Sequence, residues 1–295
     1  MVLIVLAGCT LFLIGGVLFV RTHTPGITST KPIDPKAYTN VSVIGKAAIV
    51  YDLTDGKTLY EKNAESSLPL ASVTKLLTVY AASRVLRPDS VVTITPLALA
   101  QRGDEADGIF YKGESFRFDE ITRLTLAASS NIGAEAIAEA ADAEAHTDTA
   151  TLLAEAAKEI GLAHTRALNA TGLDKSASVS GSYGSAHDVA VLAGELLKKN
   201  PQAAPATTQP DVTITSREGV HHRFDNTNAD VTTYPNLLLS KTGYTDLAGG
   251  NLVIVVDVGT HHPVAIVVLG STVDGRFTDV SKLLTATHSY FSGAH

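Results

Sequence analysis

The hydrophobic pattern changes character three times along the chain. From Met1 to Val20 no charged side chain interrupts the run MVLIVLAGCTLFLIGGVLFV, about the length a helix needs to cross a bilayer. Residues 1–21 are therefore expected to be an N-terminal transmembrane anchor or signal segment. No basic n-region precedes the run and no Ala-x-Ala site follows it, so an uncleaved anchor is the favoured form. Cys9, in Leu6-Ala7-Gly8-Cys9, lies too close to Met1 for lipoprotein processing and reads as one more apolar helix residue. Residues 22–37 are polar, carry Pro25, Pro32 and Pro35, and read as a linker. The folded domain is expected to occupy 38–295.

Within that domain, alternating and short apolar runs come first. KAAIVYD (46–52) and TLYEK (58–62) flank Thr54-Asp55-Gly56 and predict a β-hairpin. From Ala71 the spacing becomes helical in SVTKLLTVYAASRVL, which places Ser72 in the first turn of a buried helix. An alanine-rich helical stretch follows. It predicts one or two helices over 119–144 and another over 147–160 with Gly161 as its stop. A further helix runs over 185–199, with Ser185 as cap, Asp188 three residues on, and Pro201 beyond its end. Strand patterns then return in VTITS, VHHRF, LLLSKTG, NLVIVVDV and PVAIVVLG, with a Glu218-Gly219 turn between the first two and a closing helix over 276–291. Strands at both ends of a helical insert predict one mixed sheet covered by helices, plus a helical lobe.

Composition narrows the chemistry. With 45% hydrophobic and 18% charged residues and a net charge of −7, the chain is globular and gathers no Lys/Arg stripe, so nucleic acid is not an expected partner. Cys9 is the sole cysteine, which removes disulfides and thiolate metal sites. His221-His222 and His261-His262 invite a metal, but neighbours on a strand face opposite ways. They are read as surface-loop histidines, and no metal or cofactor is expected. Tyr183 and His187 are assigned no role.

Three motifs carry chemistry in order: Ser72-Val73-Thr74-Lys75, Ser129-Ser130-Asn131 and Lys241-Thr242-Gly243. Average composition yields roughly one chance Ser-x-x-Lys in a chain of this length, whereas Lys-Thr-Gly would occur in about one chain in ten. The ordered trio is therefore far more specific than its members. On a helix, residues three apart share a face, so the Lys75 amine can reach the Ser72 hydroxyl. The helix start, with its partial positive charge, favours an anion forming there. A capping serine beside a surface lysine is the bland alternative.

The trio matches the pattern of penicillin-binding proteins and class A β-lactamases. AAIVYDLTDGKTLYEKNAESSLPLASVTKLLT and KTGYTDLAGGNLV extend the match. From Tyr38 to Phe291 the chain is similar to a low-molecular-mass penicillin-binding protein, a D-alanyl-D-alanine carboxypeptidase or the related endopeptidase. The resemblance implies a β-lactamase/transpeptidase-like α/β (α+β) fold. Its parts are a five-stranded antiparallel sheet flanked by helices, a mostly helical lobe, and an active-site cleft between them.

The resemblance also implies a serine peptidase acting on peptidoglycan stem peptides that end in D-Ala-D-Ala, with β-lactams as covalent inhibitors. Ser72 would be the nucleophile that forms an acyl-enzyme, and Lys75 its base. To accept a proton near neutral pH, Lys75 must have a lowered pKa, which burial and the nearby Lys241 charge would supply. Ser129 would carry the proton to the departing amine, and Asn131 would orient Lys75 and the substrate amide. Backbone N–H groups of Ser72 and Tyr244 would form the oxyanion hole. Lys241, Thr242 and Gly243 would hold the terminal carboxylate, with Arg276 in GSTVDGRFTDV as a second guanidinium partner.

Carboxypeptidase action is expected first and endopeptidase action second. A β-lactamase is disfavoured because the chain has no Glu-x-x-Leu-Asn motif, and intact motifs disfavour a catalytically silent penicillin-binding protein. Many such carboxypeptidases add a C-terminal β-domain and membrane-binding tail. Here the catalytic domain is expected to stand alone on the wall side of the cell membrane, attached through the N-terminal segment. Arg21 beside that segment is a weak contrary sign.

Overall fold

The computed structural model describes residues 34, 36–101, 110–259 and 261–293. The anchor expected at 1–21 lies outside the described residues, as does the linker apart from Asp34, Lys36 and Ala37. Among the described residues no helix is long and apolar enough to cross a membrane. In chain order the elements begin with β1 (Ala47–Asp52), β2 (Lys57–Lys62), β3 (Leu68–Pro69), a 3₁₀ turn at Ala71–Val73 and α1 (Thr74–Ala82). The lobe follows with β4 (Val91–Thr93), α2 (Pro96–Ala100), β5 (Ser115–Arg117), α3 (Phe118–Ala127), α4 (Asn131–Ala145) and α5 (Thr149–Glu159). Then come β6 (Arg166–Ala167), β7 (Ser182–Gly184) and α6 (Ala186–Lys199). Strands β8 (Asp211–Thr215), β9 (His221–Asp225), β10 (Leu237–Thr245), β11 (Gly249–Asp257) and β12 (Pro263–Ser271) lead to α7 (Gly275–Ser292).

The main sheet has the order β10-β11-β12-β1-β2, and every pairing in it is antiparallel. The mixed sheet predicted from the strand pattern is thereby corrected. Consecutive strands are hairpins, and after the helical insert the chain returns so that β12 runs against β1, with Ala47 opposite Leu269. The hairpin β8–β9 stays outside this sheet and packs on α3.

Strands β11, β12 and β1 read as continuous apolar runs because both faces of the sheet are covered. Alternation divides each run between two cores. Ala48, Ile254 and Val268 join Val280 and Leu283 of α7, whereas Ile49, Val255 and Val267 point to the cluster that contains α1 and α6. Helix α1 contacts α4, α5 and α6, and all nine of its residues are buried. A helix buried on every side needs no polar face, which makes Lys75 the exception to be explained.

The helical expectation over 119–144 resolves into α3 and α4, broken at Ala128–Ser130. Ser130 caps α4 by accepting from the Gly133 N–H at 3.0 Å, and Ser129 adopts φ +63°. Ser185 caps α6 through the Asp188 N–H as predicted, at 3.0 Å, and Gly161 ends the α5 segment with φ +73°. The surface-loop assignment of the histidines is corrected at two positions. Alternation on β9 exposes His221 but turns His222 inward among Phe110, Phe116 and Phe224, where its Nε2 lies 2.5 Å from Glu114 Oε1. His262 is half-buried, with Nε2 2.7 Å from Asp52 Oδ2.

Candidate active site

The approach to Ser72 is built from unusual backbone. Leu70 N–H donates to Ser182 O at 3.2 Å, Ala71 takes φ +49°, and the 3₁₀ turn then runs directly into α1. A non-glycine residue at positive φ stores strain, and such residues gather at functional sites. Asn251 on β11 holds this stretch to the sheet. Its Nδ2 donates to Pro69 O and Leu70 O, both at 3.0 Å, while its Oδ1 accepts from the Gly270 N–H at 2.8 Å.

Lys75, the second residue of α1 and fully buried, aims its amine back at Ser72. Nζ lies 2.7 Å from Ser72 Oγ, 2.8 Å from Asn131 Oδ1 and 3.1 Å from Thr171 O. Asn131, the first residue of α4, presents its Oδ1 to Lys75, and its buried Nδ2 has no protein partner. Thr171 offers its carbonyl because Asn169 folds the following turn: Asn169 Oδ1 accepts from the Gly172 N–H at 2.8 Å and Nδ2 donates to Leu173 O at 2.9 Å. Gly172 is required there, since its φ is +77° and a Cβ would stand 1.9 Å from Ala71 O.

A second serine–lysine pair comes from the other side. Lys241 on β10 is buried, and its Nζ donates to Ser129 Oγ at 2.8 Å and to Thr242 O at 2.9 Å. Thr242 Oγ1 lies 2.6 Å from Thr227 Oγ1, and the Thr227 N–H is tied to Ala127 O at 3.1 Å, so the strand is fastened to the end of α3. Gly243 lets β10 lie against the nucleophile turn. A Cβ there would stand 2.8 Å from Leu70 O and 3.2 Å from Val73 N.

Arg276 is not a surface arginine. It is buried at the start of α7, and Nη1 donates to Gly243 O at 3.0 Å. Burial pushes its guanidinium down from the ordinary value. Tyr244 keeps its ring half exposed. Tyr183 is structural: its hydroxyl accepts from the Ser180 N–H at 2.9 Å, and Arg166 lies over its ring.

The structure thus links Ser72, Lys75 and Asn131 in one cluster and Ser129, Lys241 and Thr242 in another, with Gly243 on the same strand as Lys241 and Arg276 bonded to the Gly243 carbonyl. Residues that sequence reasoning missed are Thr171, Gly172, Thr227 and Asn251. The Asn169–Gly172 turn composition could have marked the first two, and Asn251 lies inside the KTGYTDLAGGNLV stretch. Thr227 carries no local signature.

The family described as D-alanyl-D-alanine carboxypeptidase matches residues 34–273 through its sequence model, which takes in both clusters. The chain belongs to the D-alanyl-D-alanine carboxypeptidase family. It is 29% identical over 263 residues to the D-alanyl-D-alanine carboxypeptidase DacF of Bacillus subtilis, an alignment that covers 88% of this chain and 66% of that protein. The chain therefore spans just under two thirds of that relative's length. It is 27% identical over 237 residues to a D-alanyl-D-alanine endopeptidase of Pseudomonas aeruginosa, covering 79% of this chain and 72% of that one. Among solved structures, penicillin-binding protein D2 of Listeria monocytogenes in its ampicillin-bound form matches with a TM-score of 0.68 and 25% identity. That match covers 84% of this chain and 98% of that one. The carboxypeptidase-family fold accounts for the antiparallel sheet and for the lobe that carries Ser129 and Asn131.

Proposed function

We propose that this chain is a serine-type D-Ala-D-Ala carboxypeptidase that works through an acyl-enzyme on Ser72. The observation that carries this reading is the 2.7 Å contact between Lys75 Nζ and Ser72 Oγ on a wholly buried lysine. In its neutral form Lys75 takes the Ser72 proton as Oγ attacks the carbonyl carbon of the penultimate D-alanine. The oxyanion is held by the N–H groups of Ser72 and Tyr244, an arrangement worth several kcal/mol where its donors are preorganised. Collapse breaks the C–N bond. Ser129, held by Lys241, passes a proton to the departing D-alanine amine, and water then releases the shortened peptide from Ser72.

The remaining residues supply binding. Asn131 keeps its Oδ1 on Lys75 and has a partnerless Nδ2 to donate to a substrate carbonyl. Lys241, Thr242 and Gly243 provide the carboxylate anchor, and Arg276 backs it through the Gly243 carbonyl. The same acyl-enzyme chemistry would make β-lactams covalent inhibitors. Attachment through residues 1–21 would hold the domain on the wall side of the membrane, a reading supported by the apolar run and by where peptidoglycan lies.

Incubation of the full chain with a D-Ala-D-Ala pentapeptide and with cross-linked muropeptides tests the bond assignment. Free D-alanine from the pentapeptide is expected. Cleavage of cross-links with no D-alanine release would replace the carboxypeptidase reading with the endopeptidase one, the activity named for the Pseudomonas aeruginosa relative.

A further inference from the structure

At the start of α6 a cluster of two imidazoles and two carboxylates draws three chain segments together. Glu65, in the loop between β2 and β3, places Oε1 3.0 Å from His187 Nδ1 and Oε2 3.2 Å from His164 Nδ1. Glu65, His187 and Asp188 each offer a ligating atom within 4.8 Å of the others. We propose that these residues, with His164 swung in as the fourth ligand, form a binding site for a divalent transition-metal cation of the Zn²⁺ class.

The donor chemistry selects the ion. Imidazole nitrogen with carboxylate oxygen suits Zn²⁺ and its neighbours and does not suit Ca²⁺ or Mg²⁺, which take oxygen ligands. Two carboxylates balance the ion's charge, and each imidazole offers one ring nitrogen. Tetrahedral ligation at Zn–N and Zn–O lengths of about 2.0–2.1 Å sets ligand atoms roughly 3.3 Å apart. His187 Nδ1, 3.0 Å from Glu65 Oε1, already lies close to that edge length, and His164, which now faces Oε2, would turn towards the ion.

The site is also supported from behind, as a ligand set must be. Asp188 is buried, and its Oδ2 accepts from the His164 N–H at 2.8 Å and from Thr165 Oγ1 at 2.7 Å. Its own N–H is capped by Ser185 Oγ. The His187 N–H donates to Ala64 O at 3.1 Å, and its ring meets Tyr51 edge-on at 5.1 Å. Glu65, His164 and His187 each keep a third or more of their side chains exposed, which gives an ion a way in. A bound cation would fasten the loop that runs from Glu65 through β3 to Ser72 onto the start of α6. Its role is structural and independent of the peptidase reading. The other described group of this kind, Asp52, Asp55 and His262, is the competing site. That group brings one imidazole, where the Glu65 cluster brings two.

The test uses the full chain, prepared without a polyhistidine tag, stripped with a chelator and titrated with ZnCl₂ by calorimetry at pH 7.5. One ion per chain is expected, with a Kd of about 1 µM or tighter, together with a rise in the thermal unfolding midpoint. His187→Gln and Glu65→Gln should each weaken binding at least tenfold and remove the rise, whereas His262→Asn should change neither. Co²⁺ in place of Zn²⁺ should show tetrahedral d–d absorption that His187→Gln abolishes. Absence of saturable one-to-one binding, or binding that survives His187→Gln unchanged, overturns the proposal. If His187→Gln does not fold, Glu65→Gln decides by the same criteria.

Discussion

The two serine–lysine pairs have nearly the same contact length and very different origins. Ser72 and Lys75 are three residues apart on one helix face and meet at 2.7 Å, whereas Ser129 and Lys241 are 112 residues apart and meet at 2.8 Å. The first pair is a consequence of helical spacing once α1 forms. The second exists only because β10 is driven against the lobe, through Gly243 on the nucleophile turn and Thr242 on Thr227. A local pair should tolerate disturbance of the sheet edge, while the long-range pair should fail when that edge moves. On the proposed mechanism the division also separates roles, with proton abstraction assigned to the local pair and leaving-group protonation with anion binding to the distant one.

The largest expected effect comes from breaking the local pair. Lys75→Ala should slow acylation of Ser72 by about 10³-fold, the scale of a lost general base. Stopped-flow measurement of β-lactam acylation, with far-UV circular dichroism to confirm folding, would check it. Acylation within tenfold of wild type would show that another group takes the proton.

Breaking the distant pair should cost less and in a different currency of kinetics. Lys241→Gln should lower kcat/KM for a peptide with a free terminal carboxylate by roughly 10- to 100-fold, the loss of one charge-assisted contact. The penalty should shrink for the same peptide amidated at its C-terminus. Equal penalties on both would remove the carboxylate anchor from the account.

Gly243→Ala tests the geometry that joins the pairs without touching a reacting atom. Its methyl would meet backbone at Leu70, so strand or turn must shift. A stability loss of about 1–3 kcal/mol is expected from such overpacking, measured by urea denaturation. kcat/KM should fall as Lys241 is drawn off Ser129, with Lys75-dependent acylation less affected. A fully stable, fully active variant would contradict the close approach.

The smallest effect is a control away from both pairs. Hydrogen bonds from Ser115 Oγ and the Ser115 N–H hold the Glu218 carboxyl down at about 2. A carboxylate with a depressed folded pKa contributes stability that is present above its ordinary value, near 4.5, and lost as pH falls towards 2. Glu218→Gln should therefore flatten the stability profile between those limits and leave activity near neutral pH unchanged. An unchanged acid profile would show that the β8–β9 clasp adds nothing.

The comparison also marks where sequence reasoning reached. Strand and helix periods located β1, β2, β8–β12, α1 and α3–α7, because each is long enough for burial to impose a period. Ser72, Lys75, Ser129, Asn131 and Lys241 were legible as ordered motifs. The antiparallel sense of the whole sheet was not readable from strand patterns, since pairing direction depends on how the insert returns the chain. His222 was misplaced although VHHRF reads as a strand, because the pattern alone does not say which face of the β8–β9 hairpin packs inward. Thr171 and Thr227 act through a backbone carbonyl and a cross-strand hydroxyl contact, and neither leaves a trace in local composition.

The central claim is that Ser72 is the acyl acceptor, and labelling with a fluorescent penicillin tests it most directly. Folded wild type should become covalently labelled at one residue, mapped by mass spectrometry to the peptide containing Ser72, and Ser72→Ala should take up no label. An unlabelled wild type, or label that persists in folded Ser72→Ala, would contradict the account.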